Sequence, residues 1–541
     1  ARFPVDYAFA GHSVVSPELA EILHQRDDVD FTGVLQPMTM DDFEQLLAQQ
    51  TADSSPGMSG ISYGHLRSMS RKHRLLYLQM INRFIQFQHC PSRWLEVAIA
   101  LIPKSDGAQG LCAGRPISLI ESLMKLATAW VAPKIKAALR AHRRPNDPPP
   151  PARPSGRLHS QQFFDSGARR GCHQALLLLT SVMQAMTLQK RQFILISTDV
   201  KGAFPGVPTS FMGQRYRSMG VKTTDRLYAF LQAIDVNSNI RVRVRHGFSR
   251  GVPKGDVGIH QGEVLSPGKY GWSLDPLLQY LDKVAATEDL GIDLSTLRIQ
   301  DQDILFEGSY SIESPNGTVT FYMQGGRLVA IAFADDVCLL AEDMEGAQTL
   351  MNAAQEYYVA ASATLCAPKS IYTSNHKRRP WEIVLTLPAG AHEEREEVMA
   401  LCRNWRKQRA SEIGWRQEMP HNAVQAGRTP GTVKIQSDWL FLQHLGDSVK
   451  WLQASVAPLD YAFSLLHHLT LSGISIAYKV LHRPLHLVNP KSGGREYLKW
   501  VEPTASFRYL GIQLSASLNW DAEYKYLLDQ LNPILRQIKL G

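Results

Sequence analysis

Two apolar runs, Leu328-Val329-Ala330-Ile331-Ala332-Phe333 and Val337-Cys338-Leu339-Leu340, stand on either side of Ala334-Asp335-Asp336. Runs without polar alternation imply strands buried on both faces, and so short a gap between them fits only a tight hairpin. Polar residues in a turn are ordinary. Adjacent carboxylates at the tip of such deep strands are not, because they repel one another unless a cation neutralises them.

A matching element lies upstream. Phe193-Ile194-Leu195-Ile196 is a short β-favouring run leading into Ser197-Thr198-Asp199, which predicts Asp199 at the end of a buried strand. Between the two, the string from Gly258 to Pro267 ends in a serine suited to cap a helix and a proline suited to its first position. Leu274, Leu277, Leu278 and Leu281 then recur at helical spacing. Beyond the hairpin, Ala347, Leu350, Met351, Ala354, Tyr358 and Ala361 mark a second amphipathic helix, and Ile371 to Ser374 reads as a strand. The order is strand, helix, strand, strand, helix, strand. That is the βαββαβ arrangement of a ferredoxin-like sheet, an α+β fold that places Asp199 and Asp335 on neighbouring strands.

The rest of the chain is read around this unit. With 541 residues there is room for more than one domain. Thr39 and Asp42 form a capping-box pattern that predicts a helix from about residue 40. The proline-rich run 144–151 reads as an exposed loop, since proline lacks the backbone donor. The expected organisation is an N-terminal lead and helix over 1–50, a first unit over 51–190, the catalytic unit over 191–375, an inserted subdomain over 376–500, and a last unit over 501–541. The 58 Lys and Arg against 50 Asp and Glu leave +8, the sign expected of a protein that handles phosphate backbones. Arg241, Arg243 and Arg245 alternate along one strand face, where they could track a backbone or simply meet solvent. Lys377-Arg378-Arg379 and Arg403, Arg406, Lys407 and Arg409, with Trp405 and Trp415 interleaved, offer phosphate-seeking charge beside stacking surface. Six cysteines without a Cys-x-x-Cys pair indicate neither a zinc module nor a disulfide framework, so a reducing, intracellular location is expected. No apolar stretch is long enough for a membrane span, and Ala1 with no signal peptide suggests an excerpt from a longer protein.

Taken together the motifs resemble those of the reverse transcriptases of non-LTR (LINE-like) retrotransposons, with group II intron enzymes as relatives. Thr198-Asp199-Val200-Lys201-Gly202-Ala203-Phe204 resembles the first metal-binding motif of that family, and Phe333-Ala334-Asp335-Asp336 its aromatic-Ala-Asp-Asp motif. Gln261-Gly262, followed by Leu265-Ser266-Pro267, is similar to the segment that positions template and incoming nucleotide. Upstream, Pro56-Gly57-Met58-Ser59-Gly60-Ile61, Trp94, Leu101-Ile102-Pro103-Lys104 and Arg115-Pro116-Ile117 resemble fingers motifs. Downstream, Ala367-Pro368-Lys369-Ser370 resembles the lysine motif, and Arg508-Tyr509-Leu510-Gly511 the primer grip. The chain departs from the family pattern at Pro205, where Asp is usual, at Gly114, where an aromatic residue is usual, and at Ser59, where Asp is favoured.

The resemblance implies a right-hand polymerase with fingers, palm and the start of a thumb, copying an RNA template onto a DNA primer from dNTPs. It implies two Mg²⁺, with Mn²⁺ as a substitute, held by Asp199, Asp335 and the carbonyl of Val200, with Asp336 in support. It assigns Lys104, Arg115, Gln261 and Gly262 to the dNTP, Phe204 to exclusion of a ribose 2′-hydroxyl, Lys369 to protonation of the leaving pyrophosphate, and Tyr509, Leu510 and Gly511 to the primer. A decayed RNA-binding copy and an RNA-dependent RNA polymerase are the rival readings. Intact Asp199, Asp335 and Asp336 oppose the first, and an aromatic residue at 204 opposes the second.

Overall fold

The computed structural model describes residues 15–103, 114–142, 162–163, 171–244, 247–256, 258–297, 327–375, 485–489 and 492–529, with the backbone of strands at 309–314, 317–322, 382–386, 424–426, 433–435, 440–445, 448–453 and 477–482. Lys104, the proline-rich run, Arg245 and the basic clusters at 377–379 and 403–409 lie outside the described residues.

The N-terminal part is helical: α1 (Pro17–His24), α2 (Met40–Gln49), α3 (Tyr63–Ser68) and α4 (Arg71–Phe87). α2 begins where the capping pattern predicts. The Thr39 hydroxyl accepts from the Asp42 N–H at 3.2 Å, and the Asp42 carboxylate accepts from the Thr39 N–H at 3.1 Å. After β1 (Glu96–Pro103) and β2 (Gly114–Leu119) come α5 (Ser122–Ala141) and α6 (Cys172–Leu188). Beyond β3 (Ile194–Thr198) the chain forms α7 (Ala203–Gly206), α8 (Thr209–Ser218), α9 (Arg226–Val236), and the short strands β4 (Asn239–Val244), β5 (Gly247–Phe248) and β6 (Val252–Pro253). β4 runs parallel to β1, which pairs antiparallel with β2 on its other side, so residues 239–253 join a sheet built mainly from the preceding unit. In that sheet the Arg241 guanidinium lies 3.2 Å from the Glu96 carboxylate, so one of the alternating arginines is committed to an internal partner.

The central sheet holds Asp199 and the Asp335-Asp336 hairpin at its strand ends. After α10 (Ser266–Glu288), β7 (Ile292–Asp293), β8 (Ser309–Ser314), β9 (Gly317–Tyr322) and β10 (Arg327–Leu328), the hairpin β11 (Ala330–Phe333) and β12 (Asp336–Ala341) leads to α11 (Met344–Ala360) and β13 (Ile371–Ser374). The strand order is β11-β12-β3-β13, every neighbour antiparallel. Consecutive residues alternate between two cores. Leu195, Cys338 and Leu340 pack with Leu179, Val182 and Met183 of α6, whereas Ile196, Val337 and Leu339 pack with residues of α10 and α11 such as Leu277, Leu350 and Tyr358. Burial on both faces is why these strands lack polar alternation. α6, grouped by the sequence division with residues 51–190, is thus part of this layer.

The segment 376–500 also reaches the central sheet. Its strands β14 (Glu382–Thr386), β15 (Val424–Ala426), β16 (Val433–Ile435), β17 (Leu440–Leu445), β18 (Ser448–Gln453) and β19 (Ala477–His482) include a four-stranded sheet in the order β17-β18-β14-β19. β20 (His486–Val488) pairs with β21 (Arg495–Tyr497) and lies along α11. There the Gln348 side chain donates to the His486 carbonyl at 2.9 Å and accepts from its N–H at 3.0 Å, an amide side chain standing in for a strand neighbour. β22 (Lys499–Trp500) then adds to the central sheet parallel to β13, with the Trp500 ring 5.1 Å from that of Tyr372. The end of the supposed insert therefore completes the central sheet. A last hairpin, β23 (Phe507–Tyr509) and β24 (Ile512–Leu514), follows.

Because Leu195 and Ile196 face different cores, Leu195→Ala and Ile196→Ala are each expected to cost about 2–5 kcal/mol, and the double variant close to their sum. Urea denaturation checks this. A double variant no worse than the weaker single one would show that the two cores are not independent.

Candidate active site

The β11–β12 hairpin closes through two residues, Ala334 and Asp335, with Phe333 and Asp336 paired at its mouth. Ala334 has φ +54°, a left-handed conformation that costs a non-glycine residue about 1–2 kcal/mol. That turn holds Asp335 and Asp336 side by side at the hairpin tip. β3 pairs with β12 through Thr198 opposite Val337, so Asp199, one residue further on, arrives across from Asp336.

Asp199 acts on both carboxylates of the hairpin. Asp336 is pushed up to about 6, first by burial and then by the charges of Asp335 and Asp199. Asp335 is raised by burial and by Asp199, while its own backbone N–H and the Arg115 guanidinium pull the other way. Asp335 and Asp336 do touch solvent at the tip. Each nonetheless sits close enough to protein and to its neighbours that its charged form is disfavoured.

The backbone around Asp199 is tied down. Its N–H donates to the Ser370 hydroxyl at 3.0 Å, its carbonyl accepts from the Cys366 N–H at 2.8 Å, and the Lys201 N–H donates to the Thr364 carbonyl at 2.9 Å. These bonds flank an isolated bridge between Val200 and Leu365, and none of them uses the Val200 carbonyl. Lys369 lies on the same loop, its Nζ 3.7 Å from Asp199 Oδ2. With the lysine side chain 68% exposed, this is a weak, solvent-screened contact.

The donors suit a hard divalent cation. They are oxygens, their negative charges are crowded, and a carbonyl stands beside them. Among the described residues no group of three or more His, Cys, Asp and Glu forms a ready-made cage. Mg²⁺ does not need one, because it is commonly held by one or two carboxylates and completed by substrate phosphates and water.

A second wall rises from α7 and the loop before α10. The Ile259 N–H donates to the Phe204 carbonyl at 2.8 Å and the Gly258 N–H to the Val207 carbonyl at 3.0 Å. Phe204 stacks on Tyr270 with ring centroids 4.7 Å apart. Gly262 has φ +109°, and a Cβ there would stand 2.7 Å from the Ser118 carbonyl oxygen, so only glycine fits. The Ser118 N–H donates to the Gln261 carbonyl at 2.6 Å, which fastens this loop to β2, the strand carrying Arg115. Ser266 does not cap α10 as its position predicts. It is already helical, and its hydroxyl donates back to the His260 carbonyl at 2.5 Å, holding the loop closed.

Tyr509, Leu510 and Gly511 form the tip of the β23–β24 hairpin, with φ +46° at Leu510 and +91° at Gly511 matching a tight hairpin turn. The Tyr509 ring is buried in the same core as Cys338 and Leu340. Its hydroxyl is held well above the usual range by burial, then by Cys338 and Asp336, which puts this hairpin against the carboxylate hairpin. The Cys172 thiol, at the start of α6, donates to the Leu510 carbonyl at 3.3 Å.

Of the residues expected at the site, Asp199, Val200, Asp335, Asp336, Lys369, Arg115, Phe204, Gln261, Gly262, Tyr509, Leu510 and Gly511 are all described, whereas Lys104 is not. Sequence reasoning missed Tyr270 and Cys172, and Ser370 was noticed only as the end of a motif. Tyr270 is one of many apolar positions along α10, and Cys172 carries no pattern of its own.

Clustered carboxylates on an antiparallel hairpin, Lys369 close to Asp199 and a glycine-dependent loop beside them suit a divalent-metal nucleotidyltransferase. More specifically, the chain belongs to the reverse transcriptase family: residues 102–384 match the family described as "Reverse transcriptase (RNA-dependent DNA polymerase)". It is also similar to two proteins named "Retrovirus-related Pol polyprotein from type-1 retrotransposable element R2". The one from Popillia japonica is 22% identical over 323 residues, covering 59% of this chain and 37% of that protein. The one from Nasonia vitripennis is 22% identical over 331 residues, covering 61% of this chain and 26% of that protein. The likeness is thus to non-LTR retrotransposon enzymes, and the chain matches well under half the length of these relatives.

Crowding of like charge makes the metal-free site costly. Asp336→Asn is expected to raise the melting temperature in chelator by roughly 1–2 °C, and Mg²⁺ to stabilise the wild type more than the variant. Thermal melts with EDTA and with Mg²⁺ test this, and a lower melting temperature for the variant in EDTA would contradict it.

Proposed function

We propose that this chain is the polymerase core of a retrotransposon reverse transcriptase, adding deoxynucleotides to a primer 3′-hydroxyl on an RNA template. The observation that carries the reading is the register that sets Asp199 opposite the Asp335-Asp336 hairpin, where the Asp199 charge adds to burial in raising both hairpin carboxyls.

In this reading the central sheet is a ferredoxin-like palm, a view supported by the strand order β11-β12-β3-β13 with α10 and α11 between its strands. The β1-β2-β4 sheet with its helices serves as fingers, and the β23–β24 hairpin is the primer grip at the start of a thumb. Asp199 and Asp335, with the Val200 carbonyl, would hold two Mg²⁺, and Mn²⁺ can replace them. Such ions would supply activation of the primer hydroxyl and neutralisation of the triphosphate charge.

The chain's own residues do the rest. Asp336 adds negative potential behind the two ligands. Arg115, whose charge already reaches Asp335, is suited to phosphate oxygens. Lys369, close to Asp199 and open to solvent, would pass a proton to the departing pyrophosphate. Gln261 and Gly262 present a backbone that the incoming nucleotide can approach closely. Phe204, backed by Tyr270, forms a wall against a 2′-hydroxyl, whereas a polymerase that reads the ribose needs a hydrogen-bonding side chain there. Tyr509, buried beside Asp336, lets Leu510 and Gly511 meet the primer. Thiols at Cys90, Cys172, Cys338 and Cys366, all free, suit a reducing compartment, and among the described residues no helix is long and apolar enough to cross a membrane.

Asp335→Asn is expected to reduce metal-dependent primer extension to less than about a tenth of wild type while template binding stays within a few fold, because few phosphates are touched. Extension gels beside filter binding measure both, and substantial residual synthesis would count against Asp335 as a ligand. Phe204→Ala is expected to relax discrimination against rNTPs more than it slows dNTP use. An unchanged ratio of the two specificity constants would dismiss the steric wall.

A further inference from the structure

Behind the loop that carries Gln261 and Gly262 lies a set of charges that the chemistry above leaves unused. Asp235 on α9, Glu263 in the loop, Lys254 after β6 and Lys269 in the first turns of α10 are all buried, Lys269 completely. Lys269 Nζ stands 2.7 Å from Asp235 Oδ1 and 2.9 Å from Glu263 Oε2. The second Asp235 oxygen accepts from the Tyr216 hydroxyl at 2.8 Å, and Lys254 Nζ donates to the Asp235 carbonyl at 2.8 Å. Two acids and two bases make the set neutral. Burial alone would strip the proton from Lys269, but Asp235 and Glu263 outweigh it and hold the ammonium above its ordinary range.

Buried ion pairs of this kind are a poor source of stability, since desolvation offsets most of the attraction and apolar side chains of equal volume serve as well. What they add is direction. The loop from Gly258 to Leu265 carries glycines at φ +76° and +109°, so its backbone is intrinsically permissive. Glu263, two residues beyond Gln261, is gripped at both oxygens by Lys269, and its Oε2 lies 3.2 Å from the Ser266 hydroxyl oxygen. On the other side of the loop, His260 Nδ1 meets the Ser118 hydroxyl at 3.2 Å. The loop is therefore clamped between β2 and a buried ionic post.

We propose that Glu263 and Lys269, anchored on Asp235, are positioning residues that set the height of the Gln261-Gly262 backbone and thereby the enzyme's affinity for the incoming nucleotide. This rests on the reading of Gln261 and Gly262 as nucleotide contacts. The clamp touches neither the nucleotide nor the carboxylates, so its loss is felt in KM for dNTP rather than in kcat.

The test uses the full chain in single-nucleotide incorporation, with wild type, Lys269→Met, Glu263→Gln and the double variant. Lys269→Met strands Glu263 in the interior and is the variant at risk of misfolding. The double variant restores neutrality, because Asp235 retains Lys254. Glu263→Gln and the double variant are expected to raise KM for dNTP by about tenfold, the worth of roughly one hydrogen bond, with kcat within about twofold. The melting temperature of the double variant is expected to return towards wild type while its KM does not. If KM recovers together with the melting temperature, or never rises in a folded variant, the positioning role is overturned. Wild-type protein unable to incorporate dNTP with Mg²⁺ or Mn²⁺ would instead overturn the polymerase reading on which the proposal stands.

Discussion

The ladder between β3 and β12 is the contact on which the rest depends. It pairs Thr198 with Val337 and Ser197 with Cys338, and from that register alone Asp199 meets the carboxylate hairpin. Because side chains alternate every residue, a slip by one would turn Leu195 and Ile196 into the wrong cores and move Asp199 out of reach of Asp336. Both faces of the sheet are packed, so such a slip would misplace large side chains on two sides at once. The same hydrophobic constraint that folds the layer therefore fixes the geometry of the charged site, without any contact between the carboxylates having to be favourable.

Those carboxylate contacts are in fact unfavourable. Burial and then the charges of Asp335 and Asp199 raise Asp336, burial and Asp199 raise Asp335, and the hairpin turn holds Ala334 in a left-handed conformation. Strain and like-charge repulsion persist only where surrounding structure over-determines them. Here that structure is the pair of cores above and below the sheet, the Ser370 and Cys366 bonds to the Asp199 backbone, and the Tyr509 ring against the hairpin. A cation held between these carboxylates would relieve the repulsion.

Much of this was legible in the residues because burial writes itself into sequence as apolar runs. The unalternating strands 328–333 and 337–340 and the helix opened by Thr39 and Asp42 each announce local structure through a local rule. The illegible parts depend on partners distant in the chain. Nothing in Lys499-Trp500 marks it as a strand of the central sheet, and nothing in 239–253 marks it as a neighbour of β1. Lys269 reads as a surface residue because lysine is almost never buried unless paired, and its partners lie 6 and 34 positions away. Ser266 misled for the opposite reason. Its local signal as a cap was sound, but the loop's own need to close claimed the hydroxyl.

Pro205, one of the departures from the family pattern, gains a physical reason from its neighbour. A Cβ on Gly258 would stand 2.8 Å from both Cα and the carbonyl oxygen of Pro205, so the turn after the first carboxylate strand and the loop before α10 touch through bare backbone. With φ restrained by its ring, proline presents a fixed backbone to that contact. The carbonyls of Phe204 and Val207 on either side then accept the N–H groups of Ile259 and Gly258. An acidic side chain at 205 is thus not what joins these segments. The join is made by the Phe204 and Val207 carbonyls on either side of Pro205, and it leaves the Phe204 ring free to lie on Tyr270.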